Sequence, residues 1–420
     1  MLLYLFFILI LMSSIKNLKK TILVYAPFKL FFNSNVLFIS SPRFSFDAAV
    51  CLMFFLLWLI KGKNTNKDVF PLKYGFIFYG IAYVISCCYP EYAFSLIPDV
   101  IFGILLYCYM FFYSLSSNKD IKFVINTYML FSFILCGNGL LQYFLHVNPL
   151  DDLIKSWAYS GTGYFSDNDL IRMGLQGRVR SFIPHAITYG VACLSIFMMY
   201  VYFFFVDNSF LNPKPYAIIS VTLLLSGVIL CGSRTPILGL IPFLFLYKYY
   251  LSYLRKSFII FILIAFVGYF IFYDYISYTF MSLVDYKVSS EAGGSNLDMR
   301  MGQLALSWWM MMKAPFLGNG AFYDMQEVGG VEMFGAESVW FPIMAKKGLL
   351  GIVSYAYLYI AAFKVVRNMR NRIIVIVFIF SWLIMRTATS FVGLDDSMLF
   401  IFIFLFYKYE LFNNKLNHSV

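Results

Sequence analysis

Residues 275–338 read YISYTFMSLVDYKVSSEAGGSNLDMRMGQLALSWWMMMKAPFLGNGAFYDMQEVGGVEMFGAES, the one long polar interval in an otherwise apolar chain. The stretch carries three basic residues, Lys287, Arg300 and Lys313, against seven acidic ones from Asp285 to Glu337. Apolar runs long enough to cross a bilayer flank it on both sides. A loop poor in Lys and Arg between two spans belongs on the outer face of a membrane. The chain is therefore expected to be a polytopic membrane protein whose long outer loop, 275–347, forms one wall of a site.

Composition agrees. The chain is 61% hydrophobic and 13% charged over 420 residues, whereas soluble domains are about 45–50% apolar and about 25% charged. The excess falls in runs of about 17–25 residues, the length a transmembrane helix needs. Barrel strands alternate polar and apolar residues, and these runs do not, so a β-barrel is excluded. The net charge of +11 does not point to nucleic acid, because the basic residues sit in short clusters between apolar runs. These are Lys16, Lys19 and Lys20; Lys61, Lys63 and Lys67; Lys248, Arg255 and Lys256; and Lys364, Arg367, Arg370 and Arg372. That is the positive-inside pattern. All seven cysteines lie in apolar runs without CxxC or Cys/His spacing, which supports neither a disulfide framework nor a zinc site. The apolar N-terminus lacks a basic start and a small-residue cleavage site, so it reads as retained.

The expected fold class is all-α, a single membrane domain over 1–420. Spans are expected near 45–60, 72–89, 93–113, 121–146, 183–206, 215–231, 235–250, 257–274, 348–365, 373–391 and 397–408. Residues 1–40 form one span or two, and with one the total is about twelve. Loops 61–71, 114–122, 248–256 and 364–372 are expected to face the cytoplasm. Segment 147–182, the turn 232–235, the stretch 275–347 and the turn near Asp395 are then outside. The polar end, 409–420, reads as a disordered cytoplasmic tail. No internal repeat is visible, which weighs against a transporter built from two related halves.

Within the outer loop, Ser295 and Asp298 have capping-box spacing. The sequence after them predicts a helix over 299–313 with Leu304, Trp308, Met311 and Met312 on one face, lying at the membrane surface. Pro315 ends it, and Gly318 and Gly320 permit a tight turn. A second short helix is expected from Glu337 to Lys347, before Gly348 opens the next span.

Arginine on the wrong side is the most informative anomaly. IRMGLQGRVRSFIPH puts Arg172, Arg178 and Arg180 within nine outside residues; CGSRTP adds Arg234, and the long loop adds Arg300. Arginine binds phosphate by bidentate, charge-assisted hydrogen bonds and stays charged when desolvated. A lipid-linked phosphate or pyrophosphate is the ligand this pattern fits. The competing reading has them snorkelling to headgroups or pairing with Asp167, Asp169 or Asp298. Arg386 lies inside a late span, where a charge is functional by default, with Asp395 or Asp396 as its partner. His185 and Glu337 are the candidate acid–base groups, weighed against a local hydrogen-bonding role and simple solvation. P-loop, GxSxG and HExxH motifs are absent, and no carboxylate cluster resembles a divalent-metal site, so neither metal nor other cofactor is expected.

RSFIPHAITYGVACL (180–194), GSRTPILGL (232–240), and Arg300 through WWMMMKAPFLGNGAF to ESVWFPIMAKKGLLG together resemble the O-antigen polymerase and ligase superfamily of bacterial envelope polysaccharide enzymes. The likeness covers roughly 170–365. It implies a metal-independent, GT-C-like membrane glycosyltransferase of the Wzy type in the bacterial inner membrane, its site facing the periplasm. It implies that Arg180, Arg234 and Arg300 bind the undecaprenyl pyrophosphate of a lipid-linked glycan. Partners would be lipid-linked glycans, membrane lipids, a chain-length regulator and a flippase. Ligases of this group carry His-Asn where this chain has Glu337-Ser338, and the Asn of the first motif is His185 here. The missing loop histidine favours polymerase over ligase. A ligase acting on lipid A–core, or a lipid-linked oligosaccharide flippase, are the alternatives.

Overall fold

The structure is a computed structural model. It describes residues 2–32, 36–40, 43–61, 68–89, 93–155, 178–211, 214–243, 246, 297–321, 323, 337–389 and 395–417. Among these the helices are α1 (Leu2–Phe28), α2 (Phe46–Lys61), α3 (Lys73–Cys88), α4 (Phe94–Ser114), α5 (Asn118–Leu145) and α6 (Pro149–Lys155). Then follow α7 (Ala186–Val206), α8 (Lys214–Leu230), α9 (Arg234–Leu240), α10 (Leu297–Lys313), α11 (Trp340–Arg367), α12 (Arg372–Ala388) and α13 (Ser397–Asn417). Five of them, α1, α4, α5, α7 and α11, are long and apolar enough to cross a membrane; α3 and α8 are shorter apolar helices. Helices occur at the expected spans as far as these are described; of 235–250 the described helix covers Arg234–Leu240 alone, residues 244–245 and 247–250 lie outside the described residues, and so does the span expected at 257–274. The all-α expectation needs one amendment, a short antiparallel hairpin of β1 (Leu37–Ile39) and β2 (Phe44–Ser45).

Residues 1–40 fold back on themselves. Asn17 leaves helical geometry (φ −150°, ψ 82°) and splits α1 into two arms. Tyr4 donates to the Phe38 carbonyl at 3.3 Å and Phe6 packs on Phe32, while Ser13 meets Thr21 at 2.9 Å. The second arm therefore returns beside the first.

The bundle has two chemically distinct ends. At one, Lys19 pairs with Asp120 at 2.7 Å, Asn118 bonds Asn413 at 2.9 Å and Lys408 pairs with Asp68 at 2.9 Å. The expected cytoplasmic loops 61–71, 114–122 and 364–372 meet there as far as they are described; 248–256 lies outside the described residues. At the other end lie β1–β2, the start of α4, α6, the segment 178–185, the turn before α9, residues 337–347 and the start of α13. The expected disordered tail is corrected: α13 continues to Asn417, with Tyr409 and Glu410 buried. Glu410 accepts from the Arg370 and Asn371 backbone N–H groups at 2.6 and 2.8 Å and from the Tyr202 hydroxyl at 3.2 Å. Part-buried loop amides outside the helix ladder need an acceptor, and the tail supplies it.

α7 is the central post. It is apolar all round and buries residues on every face, as an interior helix must. Glycine sets its neighbours' distance. A Cβ on Gly190 would stand 2.4 Å from Cys231 Sγ and 2.7 Å from Pro236 Cγ. A Cβ on Gly239 would stand 2.7 Å from Met385 Sδ. Small residues thus bring α7, α9 and α12 into the close contact that helix packing in lipid relies on.

Candidate functional site

The turn before α9 is held by the segment that precedes α7. Val179 N–H donates to the Leu230 carbonyl at 3.1 Å and Arg178 Nε to the Cys231 carbonyl at 3.2 Å. Gly232 has φ 62°, which an L side chain adopts only with strain, and Ser233 then starts the helix that presents Arg234. Arg178 and Arg234 therefore share one turn. Arg180 is used differently. Its Nη2 meets Asp151 Oδ2 at 2.5 Å, with side-chain exposures of 5% and 3%. Its Nη1 donates to the Pro184 carbonyl at 3.4 Å. The N–H groups of Arg180 and Ser181 both donate to Gln142 Oε1, at 3.1 and 2.8 Å. Arg180 is a strut between this segment and α6; Asp167, Asp169 and Arg172 lie outside the described residues.

The outer loop delivers the second set. α10 spans Leu297–Lys313, close to the expected 299–313, and Ser295 lies outside the described residues. Gln303, Ser307, Met310 and Met311 turn inward; Met301, Leu304, Trp308 and Met312 face out. The expected apolar face is thus largely the exposed one, and Met311 is corrected to the inner side, buried next to Met310, which packs with Ala345. Pro315–Gly320 then docks onto α11. Asn319 Nδ2 donates to the Met310 and Ala345 carbonyls at 2.9 and 2.8 Å, while Leu349 and Leu350 N–H donate to the Pro315 and Phe316 carbonyls at 2.8 and 3.0 Å. Gly348 (φ 58°, ψ −153°) breaks α11 there, giving the expected short helix before the span, although it begins at Trp340 rather than Glu337.

Glu337 stands just before that helix and pairs with Arg300, Oε2 to Nη2 at 3.0 Å, with exposures of 25% and 34%. Val339 N–H donates to the Arg386 carbonyl at 3.1 Å, and Trp340 Nε1 to Thr387 Oγ1 at 3.1 Å. The loop's ion pair thus hangs on the end of α12, which α9 also packs against through Gly239 and Met385. Arg386 Nε meets Asp396 Oδ1 at 2.9 Å, and the same carboxylate accepts from Tyr355 at 2.9 Å, Trp382 Nε1 at 3.0 Å and Tyr359 at 3.4 Å. Asp396 is therefore the partner of Arg386. Asp395 caps α13 through the Ser397 N–H at 2.9 Å and faces Lys29 at 3.8 Å.

His185 is the N-cap of α7. Its Nδ1 accepts from the Ile187 N–H at 3.2 Å, which occupies one of the two ring nitrogens. Glu337 stands on the surface loop beside Arg300.

A buried charge group escaped the sequence reading. Lys29 Nζ meets Asp47 Oδ2 at 2.5 Å and the Gly103 carbonyl at 2.8 Å, and Tyr25 donates to Asp47 at 3.0 Å. The Ser45 hydroxyl donates to Asp99. Lys29, Ser45, Asp47, Asp99 and Asp395 line a cavity of about 260 Å³. The signal was present: Lys29 and Asp47 are charges in apolar surroundings, which marks them as functional by default. Among the described residues no group of three or more His, Cys, Asp or Glu side chains is arranged to hold a metal ion.

No protein-family model matches the chain, and no curated protein matches it.

Proposed function

We propose that this chain is a glycosyltransferase that polymerises undecaprenyl-pyrophosphate-linked repeat units into O-antigen or a related surface polysaccharide. It would cross the bacterial inner membrane about twelve times, with the Arg300 end outward. One observation carries the reading. The helix that Arg234 opens packs through Gly239 on Met385 at the Arg386 end of α12, and that end bonds the loop carrying the Arg300–Glu337 pair, at the bundle end opposite the Lys-rich loops. Cations gathered at one membrane boundary fit a polyanionic lipid head.

In the proposed reaction a hydroxyl of the acceptor unit attacks the anomeric carbon of the donor glycan. The new C–O bond forms as the bond to pyrophosphate breaks. The electron pair leaves on the pyrophosphate oxygen and the hydroxyl proton passes to Glu337. Charge grows on the leaving group, so preorganised cations there lower the barrier most. Arg300 and Arg234 are the proposed ligands, with Arg178 beside them and Arg386 held by Asp396 as their support. Arg180 acts as a strut. Donor binding draws Arg300 from Glu337 to the pyrophosphate, and that frees the carboxylate to accept the proton.

The test is reconstitution. Purified protein in nanodiscs receives a synthetic undecaprenyl-pyrophosphate-linked repeat unit, and products are resolved by mass. The reading expects a ladder with release of undecaprenyl pyrophosphate, slowed about 10²-fold by Arg300→Ala, the scale of one lost oxyanion donor. Transfer only to added lipid A–core would make it a ligase. Movement of the unit across a bilayer with no new glycosidic bond would make it a flippase.

A further inference from the structure

None of the residues given a role in the proposed reaction lines the cavity beside Lys29, and its walls are unusual for a membrane interior. Five charged side chains line it: Lys29, Arg43, Asp47, Asp99 and Asp395. The helix next to it is locally irregular. α4 widens to a π turn over Ile101–Leu106, a feature frequent at functional sites. The Gly103 carbonyl in that turn is bonded by Lys29 Nζ. Gly103 also has no room for a side chain, since a Cβ there would lie 2.8 Å from Asp47 Oδ2. The turn and the glycine together let a lysine and an aspartate stand against the face of a spanning helix.

Charge selects the ligand. A pyrophosphate would meet three carboxylates against two cations, so the donor's lipid head is disfavoured. A bare cation would meet Lys29, already held between Asp47 at 2.5 Å and Asp395 at 3.8 Å. A neutral polyhydroxyl ligand uses both acceptors and donors without adding charge, and the Tyr83 side chain adds an aromatic wall. The volume of about 260 Å³ falls just below the usual range for small-molecule sites, about 300–1,000 Å³. That admits one sugar ring and not an oligosaccharide. The neighbourhood is also right: Asp395 lines the cavity and the adjacent Asp396 holds Arg386.

Resting on the polymerase reading, we propose that this cavity is the acceptor subsite and holds a single neutral sugar ring, the terminal residue of the incoming repeat unit. Asp99 and Asp395 accept hydrogen bonds from its hydroxyl groups.

The test uses the full chain in nanodiscs and a repeat unit on a short prenyl pyrophosphate, with a diazirine on its terminal sugar. Photolysis is expected to label α4 and the start of α13. Ile104→Trp, which fills the cavity, should abolish that label. Asp99→Asn keeps the shape and removes a charged acceptor. It should raise the acceptor KM by about 10-fold or more at nearly unchanged kcat, the scale of one buried hydrogen bond to a charged group. Thermal unfolding separates these effects from misfolding, and Asp99→Asn stands as the test where Ile104→Trp does not fold. Labels elsewhere, with wild-type KM in Asp99→Asn, overturn the inference and leave polymerisation intact. Labels in the cavity from a protein that makes no polymer overturn the polymerase reading and keep the sugar site.

Discussion

Asp396→Ala is the perturbation whose cost follows most directly from the geometry. The carboxylate is the only acid bonded to Arg386 among the described residues, and it also collects Tyr355, Tyr359 and Trp382. Both members of the pair are about nine-tenths buried, with exposures of 8% and 10%. Truncating one partner of a buried ion pair strands the other charge and costs about 3–5 kcal/mol. The pair itself contributes much less than that, because desolvation offsets its Coulomb attraction. Arg386→Met should therefore destabilise similarly, while Arg386→Met with Asp396→Ala should be milder than the sum of the single effects, with a coupling of at least about 2 kcal/mol. Reversible unfolding of the purified protein, followed through the four variants, gives that coupling. Additive effects would refute the reasoning, since they would mean that neither charge feels the loss of the other.

Three further outcomes follow from the same contacts. Arg180→Met should lower stability by about 3–5 kcal/mol by removing the cation paired with buried Asp151, whereas Arg300→Ala, which breaks a partly exposed pair, should cost no more than about 1 kcal/mol and lose activity instead; unfolding and turnover measured together separate the two. Gly318→Ala places a Cβ 2.3 Å from the Lys346 carbonyl group at φ 75°, so beyond the about 1–2 kcal/mol of left-handed strain it should detach the loop from α11, which limited proteolysis near residue 318 would reveal as faster cleavage. Trp308 lies on the exposed apolar face of α10, so a bimane on Trp308→Cys should be quenched by brominated lipid, and quenching by aqueous iodide alone would remove α10 from the membrane surface.

Helix positions were legible because apolar runs in lipid leave the backbone one way to satisfy its hydrogen bonds. The Pro315, Gly318 and Gly320 turn and the break at Gly348 were legible too, since each depends on local backbone chemistry. Partners were not. Nothing local says that Pro315–Gly320 docks on Ala345–Leu350, or that Arg180 closes on Asp151, 29 residues earlier. The sequence narrowed the partner of Arg386 to Asp395 or Asp396. Only the helix cap decides, because Asp395 is turned to the Ser397 N–H. Lys29 read as an interruption of an apolar run, since its meaning depends on Asp47, Gly103 and Asp395 from three other elements. The tail misled for the same reason: its Glu410 looks solvated until the Arg370 and Asn371 amides are found above it.

The proposed activity is polymerisation at an arginine-lined outer site. It is tested most directly by an envelope-polysaccharide gel from the host lacking this gene, complemented with wild type or with Arg234→Ala. The account predicts loss of the ladder with retention of core bearing one repeat unit, restored by wild type alone. Core bearing no repeat, with long polymer on the lipid carrier or with single units facing the cytoplasm, would contradict it.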